Sequence, residues 1–391
     1  MDLERRQALI DVYRDGLLRD TIPFWCNHGI DYKDGGFFTS LNRDGTIIDT
    51  DKGVWQQARA TWLFAELYNN VEPRDEWLQL AIRGASFLEQ HCYDLADGRM
   101  WFHVTQDGQP IRKRRYAYSE CFAAIAYGEL ALATGEAHYR ERANQAFNRF
   151  VDHNLTSVEA SSKFTATRPS RGMGFPMMTI ATAQELRQSI GMVDADHWIN
   201  RSVATIREFH LKPDIECVME TVGVDGKFLD HFDGRTLNPG HAIEGAWFIM
   251  WEGHLRGDTS LIETGCQMLD WMWNRGWDEK HGGILYFVDV RGLPVQEYWH
   301  DMKFWWPQNE TILATLLAHL LTGEDKYAHW HRQAHDWAYS HFPDHKHGEW
   351  FGYLHRDGSL SSELKGNLWK GPFHLPRMQY MAWRWLEKDL V

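Results

Sequence analysis

The segment Asn238-Pro239-Gly240-His241-Ala242-Ile243-Glu244 sets an imidazole and a carboxylate just inside a helix start. Asn is a favoured N-cap, and Pro is tolerated at the first helical position, where its missing N–H would have no partner. His241 therefore falls near the third helical position. His374 follows Pro372 in the same way, with Arg377 three residues on, and Glu310 follows Pro307. The positive end of a helix disfavours imidazolium, so a histidine held there is expected to stay neutral near pH 7 and to serve as a base. Two such bases on opposite walls suit proton transfer at carbon. One removes a proton α to a carbonyl and the other returns a proton from the opposite face. Charge then develops on the carbonyl oxygen, and a fixed cation such as Arg59 is expected beside it.

These residues need elements that bring them together, and a repeat supplies them. "GGFFTSLNRDGTII", "GRMWFHVTQDGQPI", "CVMETVGVDGKFL", "GGILYFVDVRGLPV" and "GEWFGYLHRDGSL" each alternate apolar and polar residues about a turn glycine, at 45, 108, 226, 292 and 358. Such alternation around Asp-Gly is a strong hairpin signal. The chain reads as six units of roughly 60–65 residues, one of which, near 160–172, lacks the signature. Between hairpins the pattern is helical, over about 3–28, 53–70, 74–92, 116–134, 138–153, 174–190, 193–212, 239–256, 260–276, 303–322, 326–342 and 371–389. The helices that follow the hairpins are apolar on most faces, as in "CFAAIAYGELALA"; the others are amphipathic. Inner and outer helices in alternation predict an all-α fold, an (α/α)6 barrel of twelve helices with short β-hairpins at one end, forming a single catalytic domain over 1–391.

In that barrel the first turns of the inner helices share one mouth. They carry Arg59; Tyr118, Ser119 and Glu120; Met177 and Met178; His241 and Glu244; Gln308 and Glu310; and His374 and Arg377, with Trp306 and Trp369 nearby. Twenty Trp is a heavy aromatic load, and flat indoles suit the apolar faces of sugar rings as well as cores. Trp306 and Trp369 are the expected platforms.

Bulk properties narrow the partners. A net charge of −13 argues against nucleic acid and anionic membranes. The basic run Arg112–Arg115 reads as a solvated loop. No apolar stretch reaches membrane-spanning length, and the N-terminus lacks a signal-peptide core. Five scattered cysteines fit reduced thiols in a cytoplasmic protein. His331 and His335, at i and i+4, could face one metal, but they lie on an outer helix with no evident third ligand. They, and His345 with His347, read as surface histidines, and no metal is expected.

The motifs "NPGHAIEGAWF", "MKFWWPQNE" and "LKGNLWKGPFHLPR" resemble those of the N-acylglucosamine 2-epimerase superfamily, over the whole chain. The resemblance implies an (α/α)6 barrel, commonly a homodimer, that inverts C2 of a free reducing sugar by ring opening and a cis-enediolate. It implies acid/base roles for His241 and His374. Arg59, in "WQQARATW", would steady the C1/C2 oxygens, and Glu310 would support a histidine and assist ring opening. Tyr118, Glu120, Met178, Glu244, Trp306, Gln308, Trp369 and Arg377 are the expected substrate contacts. No cofactor is implied for catalysis; ATP enters as an allosteric activator if the N-acyl branch applies, and the chain has no P-loop to hold it. N-Acyl members often carry His where this chain has Gln308, which leaves mannose/glucose beside N-acetylmannosamine/N-acetylglucosamine and, less well, a disaccharide. An aldose–ketose isomerase on the same barrel is the main alternative. A carboxylate-based glycosidase or lyase and a protein-binding toroid are weaker ones.

Overall fold

The computed structural model describes residues 1–156, 165, 167–388 and 390. In chain order the helices are α1 (Leu3–Asp15), α2 (Ile22–His28), α3 (Val54–Asn70), α4 (Asp75–His91), α5 (Tyr118–Thr134), α6 (Ala137–Thr156), α7 (Gly174–Ile190), α8 (Ala195–Thr205), the short α9 (Phe232–Arg235), α10 (Pro239–Arg256), α11 (Thr259–Gly276), α12 (Trp305–Thr322), α13 (Asp325–His341) and α14 (His374–Lys388). A π-helical turn, Gly16–Thr21, joins α1 to α2, so the two form one continuous outer element; a second, Ile206–His210, extends α8. The end expected at residue 389 lies outside the described residues.

Helices α3, α5, α7, α10, α12 and α14 form the inner ring. Each packs on the next, and Trp62 of α3 meets Phe373, just before α14, at 5.2 Å to close the circle. The inner helices bury every face: α5 is buried without a break from Ser119 to Ala131, and α12 from Trp305 to Ala318. Outer α4 buries one stripe, Trp77, Leu80, Ala81, Gly84, Ala85, Phe87 and Leu88, as an amphipathic helix does. The last inner helix rests on the first outer element, where Thr21 Oγ1 donates to Gln379 Oε1 at 2.9 Å. Gly16 makes that approach possible, because a Cβ there would stand 2.7 Å from Gln379 Nε2.

The connections to the inner helices reuse one device. In four connections an aspartate at the head grips a lysine farther on: Asp31 with Lys52 (2.8 Å), Asp278 with Lys303 (3.1 Å) and Asp344 with Lys365 (3.2 Å), all buried, and the half-buried Asp94 with Lys113 (2.5 Å). Burial pushes the Lys303 and Lys365 ammonium groups down to about 8, and their carboxylate partners oppose the shift. These pairs fix where the inner helices begin.

Three of the five expected hairpins form: Ser40–Leu41 with Ile47–Asp49, His103–Val104 with Pro110–Arg112, and Tyr353–Leu354 with Leu360–Ser362. Gly45 and Gly108 take φ of +84° and +91° in their turns, beside the rings of His28 and His91 at the ends of the preceding outer elements. The other two expectations are corrected. Gly226 and Gly292 still turn the chain, but Thr221–Gly223 pairs with Ser170–Gly172, and Val288–Asp289 with Thr236–Leu237. Pro294 cannot donate to a ladder, so the segment after Gly292 is a poor return strand. Of the stretch near 160–172, where the sixth unit lacks its signature, residues 160–164 and 166 lie outside the described residues.

Candidate active site

The inner helices open onto a cavity of about 1050 Å³. Asn238 caps α10, its Oδ1 accepting the His241 N–H at 3.1 Å, and so sets the imidazole at the rim. His374 begins α14. Both rings line the cavity and both lean on the Trp306 indole, with centroids 5.2 and 5.7 Å from it and tilts of 36° and 39°. The two histidines thus flank one aromatic floor.

Their electrostatic settings differ. Burial would lower the pKa of His241, but the Glu220 carboxylate, both oxygens 3.2 Å from Nδ1, outweighs it and raises it. His374 is driven well below the usual imidazole range by burial; Glu244 opposes this, and Arg377, Arg59 and His241 add to it. The carboxylate nearest to it, Glu310, is already engaged. Glu310 Oε1 accepts from His374 Nδ1 and Arg377 Nη2, both at 2.7 Å, and Oε2 accepts from Trp247 Nε1 at 2.8 Å. The expectation of two alike, neutral imidazoles is therefore corrected for His241. His374 is held neutral, donating through Nδ1 and keeping the Nε2 lone pair, whereas Glu220 draws His241 toward its protonated form. At His241 the carboxylate outweighs burial and the helix terminus; at His374 the Glu310 charge is shared with Arg377, and burial prevails.

Arg59 lies in the cavity wall, its guanidinium 4.0 Å over Phe122 and 4.7 Å over Phe373. Burial brings its pKa down to about 10, with Glu244 opposing, so it stays a cation at neutral pH. Nε has no protein partner. Arg377 Nη2 bridges Glu244 Oε1 and Glu310 Oε1, 2.7 Å from each. Glu244, Glu310 and His374 have the composition of a metal site, but this guanidinium already supplies the cation between the two carboxylates. A second acidic group, Glu66, Glu129 and Glu185, lies on α3, α5 and α7.

Of the residues singled out from sequence, Arg59, Tyr118, Met178, His241, Glu244, Trp306, Trp369, His374 and Arg377 line the cavity. Three do not. Glu310 is fully buried behind His374 and Arg377 and holds both, as expected of a residue that supports a histidine. Glu120 is turned away, its Oε1 accepting from the Met100 N–H (2.9 Å) and Arg99 Nε (3.2 Å). Gln308 clamps the backbone of Ile284, accepting from its N–H at 2.8 Å and donating to its carbonyl at 2.9 Å. Gln57 holds Phe37 in the same way. These side chains anchor the connections from outside the cup.

Other expectations also change. Arg114, within the supposed solvated run, lines the cavity, stacked 4.6 Å over Phe102 and 4.8 Å over Trp369. His331 and His335 are buried, not on the surface; the Tyr13 hydroxyl lies 3.0 Å from His331 Nε2 and 2.9 Å from His335 Nδ1, donating to one ring and accepting from the other. Sequence reasoning missed Glu220 altogether. Its one signal was a lone carboxylate in the apolar run "CVMETV".

An α/α double barrel that gathers two histidines and a fixed cation around one cavity has the parts of a carbohydrate 2-epimerase, an isomerase, and the comparisons with known proteins show that class. The family model for N-acylglucosamine 2-epimerase matches residues 36–374. The chain is 33% identical to N-acylglucosamine 2-epimerase of Bos taurus, over 97% of this chain and 92% of the relative. It is 22% identical to cellobiose 2-epimerase of Bacteroides fragilis, over 91% and 94%. A crystal structure of a sugar epimerase from a ruminal bacterium superposes with a TM-score of 0.82 at 19% identity, covering 97% of this chain and 98% of that one. The chain belongs to the N-acylglucosamine 2-epimerase family.

Proposed function

We propose that this enzyme interconverts N-acylmannosamine and N-acylglucosamine by inverting C2 of the open-chain sugar. The observation that carries the chemistry is the pair of histidines against Trp306, at 5.2 and 5.7 Å, whose surroundings pull their proton affinities in opposite directions. His374 Nε2 takes the C2 proton. The C–H electron pair moves into the C1–C2 bond, and negative charge collects on O1, where the Arg59 guanidinium stabilises it. His241 then gives its proton to the opposite face of C2, which regenerates the aldehyde as the inverted epimer. For a plain hexose the intermediate is an enediolate; for an N-acyl sugar it is the corresponding enolate. The reverse reaction starts from the enzyme with the single proton on His374. Each positioned acid or base contributes about 10²–10⁴ in rate.

Two findings support the N-acyl substrate. Identity to the bovine N-acylglucosamine enzyme is 33%, against 22% for the cellobiose enzyme. Gln308, the residue that weighed against an N-acyl sugar in the motif, binds backbone outside the cavity and so has no bearing on substrate.

The test is proton NMR in heavy water with N-acetylmannosamine, mannose and cellobiose, each with and without ATP. The expected product is N-acetylglucosamine carrying one deuterium at C2. His374→Asn should lower its rate by about 10²–10⁴. A ketose as sole product from every sugar would refute epimerisation.

A further inference from the structure

Both oxygens of Glu310 are engaged, and the donors come from two neighbouring helices. His374 Nδ1 and Arg377 Nη2, both on α14, share Oε1 at 2.7 Å each. The Trp247 indole N–H, on α10, donates to Oε2 at 2.8 Å. Trp247 makes a second contact with the same group: its ring centroid lies 5.3 Å from the Arg377 guanidinium carbon. The indole is buried, so little water can replace either contact. One side chain on the helix of His241 thus braces both groups that surround His374 Nδ1.

We infer that Trp247 is a positioning residue for the base: its N–H fixes Glu310 so that Oε1 meets His374 Nδ1, and it limits how strongly that carboxylate draws a proton to the imidazole. A carboxylate with an idle oxygen can turn about its last side-chain bond, where the torsional wells are broad. Anchoring Oε2 removes that freedom. The charge matters as well. A donor stabilises the ionised carboxylate, and an indole does so without adding a net charge beside the histidine. The charged and titratable groups facing His374 are Glu310 on α12, Glu244 and His241 on α10, Arg59 on α3 and Arg377 on its own helix. The two carboxylates favour imidazolium and the other three oppose it. Without the indole donor, Glu310 Oε2 would be buried with no partner, and its charge would act more fully on His374. His374 would then take a proton on Nε2 at higher pH and lose the lone pair that removes the C2 proton.

The experiment measures kcat and KM against pH on the full-length enzyme, with whichever sugar the NMR test above shows to be turned over. Two variants remove the N–H. One is Trp247→Phe. The other replaces Trp247 by its benzothiophene analogue, which keeps the shape of the ring and sets sulfur where the nitrogen stood. A hydrogen bond to a charged group corresponds to about tenfold or more. At neutral pH kcat should fall by about tenfold in both variants, with KM within about twofold of wild type. The acid limb of kcat/KM should move to higher pH while the alkaline limb stays in place. A folding defect alone lowers the active fraction and leaves the acid limb where it was. An analogue enzyme whose acid limb keeps its wild-type position overturns the inference. The role rests on His374 as a base in the mechanism above; a His374→Asn enzyme with wild-type kcat would overturn that mechanism instead, whatever the Trp247 variants do.

Discussion

Replacing Glu220 by Gln tests the asymmetry on which the proposed mechanism depends. In that mechanism the productive enzyme carries one proton shared between two histidines, so kcat/KM should follow a bell in pH. The alkaline limb marks loss of that proton, which resides on His241 because Glu220 sits 3.2 Å from Nδ1. At this distance two unit charges interact by about 5 kcal/mol at an effective dielectric of 20 and by about 1.3 kcal/mol in water. The side chains are 33% and 24% exposed, so solvent screens the pair and the lower part of that range applies, about 1.4–2.7 kcal/mol. The alkaline limb should therefore move to lower pH in Glu220→Gln. The sign follows from the pair: Glu220 raises the His241 pKa, so its loss lowers it and confines activity to lower pH. The amide oxygen can still accept from Nδ1, so orientation is kept. The assay is kcat/KM from pH 5 to 10 in both directions, which must shift together because the overall equilibrium is fixed. An alkaline limb that stays in place would falsify the assignment of the proton to His241.

Two further perturbations separate structure from chemistry. Glu120→Ala leaves Arg99 buried without its carboxylate and the Met100 N–H without an acceptor; urea unfolding should show a loss of about 3–5 kcal/mol, while KM for the sugar stays near wild type. A large KM change at wild-type stability would return Glu120 to the substrate. Acid should also destabilise the fold through His335, whose pKa burial lowers to about 4. Its contribution is complete above the unfolded value of about 6.5 and is lost as pH falls toward 4, about 3 kcal/mol over that window. Unfolding midpoints of wild type and His335→Gln from pH 7 to 4.5 measure this; equally steep acid losses in both would remove His335 as a cause.

Much of the architecture was legible because it is periodic. The repeat, the alternation of buried and amphipathic helices, and prolines at helix starts lead to a barrel. Equivalent places in successive units are equivalent places around a ring, so His241, His374, Arg59 and Trp306 could be gathered at one mouth from sequence alone. The errors came within single helical turns. Two residues along a helix is roughly 200° around it, so neighbours two apart face opposite ways. Gln308 therefore faces outward while Glu310 faces the histidine, and Glu120 faces outward while Phe122 faces the cup. Applied to the first turns, that spacing would have excluded both.

The chain by itself thus determined the repeat, the ring of helices and the gathering of His241 and His374 at one mouth, since these depend on local periodicity. Only the tertiary structure decided how protons are shared. Glu220 reaches His241 from 21 residues away, and Arg377 and Trp247 occupy the oxygens of Glu310. The same holds for His331 and His335, which pack against Tyr13 more than 300 residues earlier. Charge states are set by whatever lies within a few ångströms, and in a closed ring those neighbours come from distant parts of the chain.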